Sequence, residues 1–112
     1  MFIFVANVAK NSMIKHIVIF KLLPPFTEEE KESSVRKLKE IFGPLGNKFD
    51  YIIEYKTGVN IREADHAGDF VIDSTFASLE DLERYQASEI HREAVSAGST
   101  IKKAKIVVDF VI

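Results

Sequence analysis

The order in which predicted strands and helices follow each other is the feature that most restricts how this chain can fold. Four segments alternate apolar and polar residues with the two-residue period of a β-strand, and two others repeat apolar residues every three or four positions, as α-helices do. Because the order is strand, helix, strand, strand, helix, strand, we predict an α+β fold. This is a ferredoxin-like βαββαβ sandwich with a four-stranded antiparallel sheet and two helices on one face. The predicted strands are 13–23, 49–57, 69–76 and 105–112.

Short polar side chains mark the start of both helices. Thr27 precedes Glu30 by three residues, and Ser78 precedes Asp81 by three residues. This spacing lets each hydroxyl accept a hydrogen bond from the first turn of its helix. The second helix continues less regularly through residues 89–97. The caps therefore predict where each helix begins.

The predicted sheet has apolar side chains on both faces. In the first strand, Val18 and Phe20 point to one side with His16, while Ile17 and Ile19 point to the other. Two helices can cover only one face, so the other face requires a partner. We predict a homodimer that packs sheet against sheet into a dimeric α/β barrel, with an apolar cavity between the subunits. The face that carries His16 is expected to line that cavity.

Composition excludes several classes of function. With 112 residues, of which 46% are hydrophobic and 29% charged, the chain is long enough for one globular domain. Its 15 basic and 17 acidic side chains give a net charge of −2, which argues against nucleic acid as a partner. The absence of cysteine excludes disulfides and thiolate chemistry. No apolar run approaches the roughly 20 residues of a membrane-spanning helix, so we expect a cytoplasmic protein without a membrane partner.

The first twelve residues precede the domain pattern. Residues 1–12 contain the apolar run FIFVA and are predicted to form an N-terminal extension, either an added edge strand or a dimer arm. Residues 13–112 form the single predicted domain. Because the pattern begins at Met13, either Met1 or Met13 could be the natural start.

Five segments form a recognisable series, in order and with compatible spacing. They are MIKHIVIFKL at 13–22, GVNI at 58–61, DFVIDSTF at 69–76, LEDLERYQASEIH at 79–91 and IVVDFVI at 106–112. Together they resemble the stress-responsive dimeric α/β-barrel (Dabb) family. The resemblance implies the same ferredoxin-like unit, dimerised through its sheets into a barrel. It implies no single biochemical activity, because a shared fold is only an analogy for function.

The resemblance also points to candidate catalytic residues. A few plant relatives in this family are polyketide cyclases that catalyse an intramolecular aldol condensation with a tyrosine and a histidine six positions apart, which match Tyr85 and His91. Their first-strand histidine matches His16. The chain departs from the family at Ser88-Glu89, where relatives often have His-Pro, and at Phe70, where the cyclases have a further histidine.

An aldol cyclisation needs a base beside a carbonyl and a donor for the enolate oxygen. In the catalytic hypothesis His91 is the base, Tyr85 is the donor and His16 is a second proton relay. Six residues on a straight helix rotate by about 240 degrees, so Tyr85 and His91 share a face only if the helix bends at residues 87–89. In the alternative, Tyr85 places its hydroxyl on a backbone carbonyl, and both histidines are structural hydrogen-bonding residues.

Apolar side chains on the strands are candidates for the wall of a ligand site. We expect Val18, Phe20, Phe70 and Ile72 to bind a small hydrophobic or aromatic molecule. These residues fall on the first and third predicted strands, on the same face as His16.

Two further groups of polar residues are weaker candidates. Lys102, Lys103 and Lys105 could attract an acidic ligand, although a solvated turn is the simpler interpretation of three charges. His66 lies in a polar loop between Asp65 and Ala67, where an exposed histidine is commonplace, and no spacing ties it to another pair of metal ligands. We therefore predict neither a metal site nor a cofactor.

Three functions are compatible with the sequence. The first is a homodimeric protein that binds a small hydrophobic metabolite without changing it. The second is a polyketide-cyclase-like enzyme that acts on a carbonyl substrate. The third is a structural stress protein whose barrel interior is filled by side chains. RNA recognition would need an open, basic sheet, and nothing marks an axial haem ligand.

Overall fold

Three α-helices lie on one face of a four-stranded antiparallel sheet in the computed structural model of the protein, which describes residues 8–112. The elements are β1 (Ile14–Leu22), α1 (Glu28–Phe42), β2 (Ile52–Val59), β3 (Phe70–Phe76), α2 (Leu79–Ala87), α3 (Glu89–Ala97) and β4 (Lys103–Val111). The strand order in the sheet is β2-β3-β1-β4, which confirms the predicted ferredoxin-like topology. Residues 1–7 of the predicted N-terminal extension lie outside the described residues.

The core of the domain lies between the sheet and the helices. On this face of the sheet, Val18 of β1 pairs with Ile72 of β3, and Phe20 pairs with Phe70. All four side chains are buried. Apolar residues of the helices complete the same cluster: Leu38, Phe42, Leu82, Tyr85 and Ala94.

The helices cover a face of the sheet that sequence analysis assigns to the subunit interface. The alternation of β1 correctly groups His16 with Val18 and Phe20, but the structure places this face under the chain's own helices, where His16 is 4% exposed. The predicted location of the cavity between subunits is therefore wrong for these residues. Period-two alternation identifies residues that share a face, but it does not identify which face the helices cover.

Both predicted helix caps are present. The Thr27 hydroxyl accepts a hydrogen bond from the Glu30 amide at 3.1 Å, and the Glu30 carboxylate accepts one from the Thr27 amide at 2.9 Å. The Ser78 hydroxyl accepts a hydrogen bond from the Asp81 amide at 3.1 Å. These local bonds satisfy amides that have no partner within their own helices, and so they fix the starts of α1 and α2.

The second strand begins later than predicted. Sequence periodicity predicts a strand from residue 49 with Ile53 and Tyr55 on one face, whereas β2 begins at Ile52. The pairing with β3 is irregular between Ile52 and Glu54, so Tyr55 packs against the core while Ile53 is 49% exposed. An irregularity of this kind shifts the side-chain period by one residue, which simple alternation cannot anticipate.

The opposite face of the sheet is free of helices within residues 8–112. Ile106, Val108 and Phe110 of β4 point to this side and are 61%, 49% and 46% exposed. Beside them in β1, Ile17 pairs with Val108, and Ile19 pairs with Ile106. The apolar second face expected from the sequence is therefore present, and it is formed mainly by β1 and β4.

Candidate functional site

A cavity of about 270 Å³ opens between the sheet and the helices, next to the edge strand β4. Val18, Phe20 and Ile72 form its apolar floor, and residues of α2 and α3 form the opposite wall. Phe70 does not line the cavity but stacks behind Phe20, with ring centroids 6.4 Å apart. The volume is near the lower end of the range typical of small-molecule sites, about 300 Å³, so the cavity suits a small ligand.

A break between α2 and α3 brings Tyr85 and His91 together. Ser88 has an extended backbone (φ −67°, ψ 150°), ends α2 and begins α3. Its hydroxyl donates a hydrogen bond to the Tyr85 carbonyl at 2.7 Å and accepts one from the His91 amide at 3.1 Å. The two aromatic rings then pack edge to face, with centroids 4.7 Å apart. The bend that the catalytic hypothesis requires at residues 87–89 is present at Ser88.

Tyr85 is held as a neutral phenol. It is 3% exposed, and its ring packs edge to face on the Phe49 ring, with ring centroids 5.1 Å apart. Burial raises the pKa of Tyr85 to about 12, and the neighbouring Tyr55 hydroxyl opposes part of this change. The structural alternative expected the Tyr85 hydroxyl to donate to a backbone carbonyl. The tyrosine that does so is Tyr55, whose hydroxyl donates to the Phe42 carbonyl at 2.7 Å. Tyr85 keeps its proton at neutral pH and can act as a hydrogen-bond donor.

His91 is also neutral, but its role is the reverse of that of Tyr85, because a neutral imidazole can accept a proton. Burial lowers the pKa of His91, and the backbone carbonyl of Gln86 partly opposes this effect because it favours the charged ring. The nearby His16 and Lys105 lower the pKa further. A neutral imidazole beside a protonated phenol is the combination that general acid–base chemistry uses.

His16 reaches the same cavity from the sheet and is paired with an acidic residue that sequence analysis overlooks. Its Nδ1 forms a short hydrogen bond with Oδ1 of Asp109, the residue opposite it on β4. Since Nδ1 is engaged, Nε2 is the nitrogen that a ligand could reach. One signal could have identified Asp109, because it is the single charged residue within the run IVVDFVI at 106–112.

Two of the three lysines at the start of the last strand belong to the cavity, because β4 begins at Lys103, two residues earlier than predicted. Lys103 and Lys105 line its open side, whereas Lys102 is exposed and does not line it. The Lys103 ammonium donates to the Gly98 carbonyl and lies 5.3 Å from the centre of the Phe20 ring. The expected turn is wrong for Lys103 and Lys105, because both lie in β4, whereas Lys105 is exposed to solvent as expected.

No group of three or more histidine or carboxylate side chains in residues 8–112 is arranged to hold a metal ion. His66 is exposed in the loop between β2 and β3 and is not among the residues that line the cavity. In the same range of residues, no helix is long and apolar enough to cross a membrane.

Comparisons with known proteins give matches over almost the whole domain. The sequence profile of the family described as Stress responsive A/B Barrel Domain (Dabb) matches residues 14–112. A dimeric protein of unknown function and ferredoxin-like fold from Bacteroides fragilis is 27% identical, with a TM-score of 0.78 over 93% of this chain and 100% of that chain. A comparison with curated proteins finds none that matches.

Two more distant structures share the fold. A dimeric ferredoxin-like protein of unknown function from Thermobifida fusca is 18% identical, with a TM-score of 0.75 over 96% of this chain and 97% of that chain. The hydroxynitrile lyase from Passiflora edulis is 17% identical, with a TM-score of 0.72 over 91% of this chain and 94% of that chain. At these identities the likeness shows the fold alone.

Proposed function

The chain belongs to the stress responsive A/B barrel domain (Dabb) family, and on that premise we propose that it binds a small apolar or aromatic molecule in the cavity between its sheet and helices. The observation that carries this proposal is the composition of the cavity wall. An apolar floor of Val18, Phe20 and Ile72 faces a few polar groups, including Tyr85 and His91. Small-molecule sites typically combine apolar walls with a few such polar groups.

The proposed functional unit is a homodimer in which each subunit has its own cavity. The apolar face with Ile106, Val108 and Phe110 would pack on the same face of a second copy. The dimeric state of the Bacteroides fragilis protein supports this arrangement. The cavity lies on the other side of the sheet, under the helices, so its wall is complete within one subunit. The cytoplasmic location expected from the sequence remains a prediction.

Ligand binding can be tested by filling the cavity. Val95 lines the cavity from α3 and is 45% exposed, so Val95→Trp should block the site with little disturbance of the core. The uncharged probe 2-naphthamide should raise the melting temperature of the wild-type protein but not that of the variant. Val59→Trp, at a residue 49% exposed that does not line the cavity, is the matched control. Equal binding by Val95→Trp would place the ligand elsewhere, and absence of binding would favour a structural role.

A second candidate function is catalysis of proton transfer on a carbonyl compound. It is favoured by the convergence of Tyr85, His91 and His16 on one cavity. Neutral His91 would remove a proton from carbon beside a carbonyl, and Tyr85 would donate a hydrogen bond to the enolate oxygen. In a cyclisation the enolate carbon then forms a bond to a second carbonyl carbon, whose oxygen takes the proton back from His91. The hydroxynitrile lyase named above is an enzyme with this fold.

The catalytic candidate can be tested without knowledge of the substrate. The wild-type protein should accelerate exchange of solvent deuterium into 4-phenylbutan-2-one, measured by NMR. His91→Ala should reduce the exchange rate by about 100-fold or more, the contribution typical of a general base. The circular dichroism spectrum of His91→Ala should match that of the wild-type protein. His66→Ala, which removes an imidazole outside the cavity, is the control and should leave the exchange rate unchanged. Exchange no faster than in buffer would argue for binding alone.

A further inference from the structure

The charge of the cavity is carried by lysines, and no acidic side chain balances them. Lys103 and Lys105 line the open side, and no carboxylate is among the lining residues. Within residues 8–112 neither lysine forms an ion pair. The nearby carboxylate of Asp109 is already paired with His16. The side chains that line this cavity therefore carry positive charge beside an apolar floor, with no carboxylate among them.

The Lys103 ammonium group is held in place by backbone carbonyls and is partly shielded from water. Its ammonium group donates to the carbonyls of Gly98 and Ile101 and lies over the Phe20 ring. Burial lowers the pKa of Lys103, and the adjacent charge of Lys105 lowers it further. Two like charges held close together in a partly desolvated site repel each other, and an anion between them relieves that repulsion.

The strand register gives the cavity a charged end and an apolar middle. On the face of β4 that points to the helices, Lys105 lies opposite Phe20, Val107 opposite Val18, and Asp109 opposite His16. With a rise of about 3.3 Å per residue, the Lys105 position is ~13 Å from the His16 pair. A flat molecule of roughly that length can place an anionic group at the lysines and its other end near the histidines.

We propose that the ligand of this cavity is a small aromatic or aliphatic carboxylic acid, whose carboxylate binds Lys103 and Lys105. The inference rests on the proposed binding function and specifies its ligand class. The body of the acid packs on Val18, Phe20 and Ile72. A singly charged carboxylate suits the site better than a phosphate, because Lys103 has already committed donors to two backbone carbonyls.

A pair of probes that differ in charge but hardly in shape tests the proposal. We expect the wild-type protein to bind 2-naphthoate about tenfold more tightly than 2-naphthamide in calorimetric titrations at low salt, since hydrogen bonds from an ammonium to a carboxylate are stronger than those to a neutral amide. Lys103→Gln/Lys105→Gln should lower the ratio of naphthoate affinity to naphthamide affinity about fivefold or more, whatever the variant does to the affinity for naphthamide itself. Lys102→Gln removes a neighbouring charge outside the cavity and should change neither affinity.

Every result that differs from this expectation overturns a specific part of the proposal. Equal affinity of the wild-type protein for both probes overturns the carboxylate preference but leaves the binding function intact. Absence of binding by either probe overturns both. A naphthoate preference that survives in the double variant, or that Lys102→Gln also removes, overturns the assignment to the two lysines. Lys105→Gln alone, at an exposed residue, gives the same test if the double variant fails to fold.

Discussion

His91 connects the chemistry of the cavity to the stability of the domain. Its pKa is lowered mainly by burial, so the folded protein binds a proton there less readily than the unfolded chain, whose histidines titrate near pH 6.5. Below that pH the proton favours the unfolded state. The stabilisation linked to neutral His91 is therefore complete above about pH 6.5 and is lost as the pH falls through the folded-state pKa.

This linkage predicts a pH-dependent effect of His91→Gln. The wild-type protein should lose free energy of unfolding relative to the variant between pH 7.5 and pH 5, because glutamine does not titrate. For one proton the slope cannot exceed about 1.4 kcal/mol per pH unit. Urea unfolding of both proteins at the two pH values measures the difference. An unchanged difference, or the same change in His66→Gln, would contradict the prediction.

The candidate residues of the site differ in how far sequence could identify them. Tyr85, His91 and His16 were accessible through family resemblance, and the structure places all three at one cavity. Asp109 stands out in the sequence as the single charged residue of its run, but its pairing with His16 could not be predicted, because it depends on the register between β1 and β4, the first and last strands of the domain. Lys105 shares that dependence, since its place beside Phe20 is also a result of the register.

Ser88 shows how a single element boundary can determine the geometry of the site. Its side chain satisfies a carbonyl at the end of α2 and an amide at the start of α3, so it holds the two helices at a fixed angle. Tyr85 and His91 are in contact only because the two helices meet in this way.

We predict that Ser88→Ala changes both stability and the site. The loss of a helix cap should cost about 1 kcal/mol in free energy of unfolding, and the contact between the Tyr85 and His91 rings should loosen. The contact can be followed by nuclear Overhauser effects between the two rings and by the affinity for 2-naphthamide.

Ser78→Ala is the matched control for Ser88→Ala, because it removes the cap of α2 at the other end of that helix. Its stability loss should be similar, with the ring contact retained. Equal disturbance of the site by both variants would contradict a special role for Ser88.

At the level of elements, local signals were predicted well and non-local ones were not. The starts of α1 and α2 follow from side chains three residues apart, and both were confirmed. The start of β2 depends on its pairing with β3, and the prediction was wrong by several residues. The face of the sheet under the helices depends on how the whole chain folds back on itself, so alternation alone could not reveal it.

The whole molecule presents two apolar faces of the sheet, and the helices cover one of them. One face packs against the helices, and the other exposes Ile106, Val108 and Phe110. A contiguous apolar surface of this kind on a small domain is typical of an interface between subunits.

Val108→Glu should therefore convert the predicted dimer into a monomer, because it introduces a charge at the centre of the apolar face. Sedimentation equilibrium measures the mass, and circular dichroism verifies the fold. Ile61→Glu is the control, since Ile61 is 93% exposed and follows the end of β2 rather than lying within the sheet. A monomeric wild-type protein, or a Val108→Glu variant that remains dimeric, would show that this face is not the interface.

The alternation of β4 places residues of the cavity and residues of the exposed apolar face on opposite sides of one strand. Its odd-numbered residues Lys103, Lys105 and Val107 line the cavity, while the even-numbered Ile106, Val108 and Phe110 form the open face. Under the proposed binding and dimerisation, substitutions at the first set would change which ligand is selected and leave the assembly surface intact, whereas substitutions at the second set would change assembly and leave the ligand the same. A lineage built on this strand can diversify its chemistry without losing its quaternary structure, and a combinatorial library at residues 103, 105 and 107 could exploit the same independence.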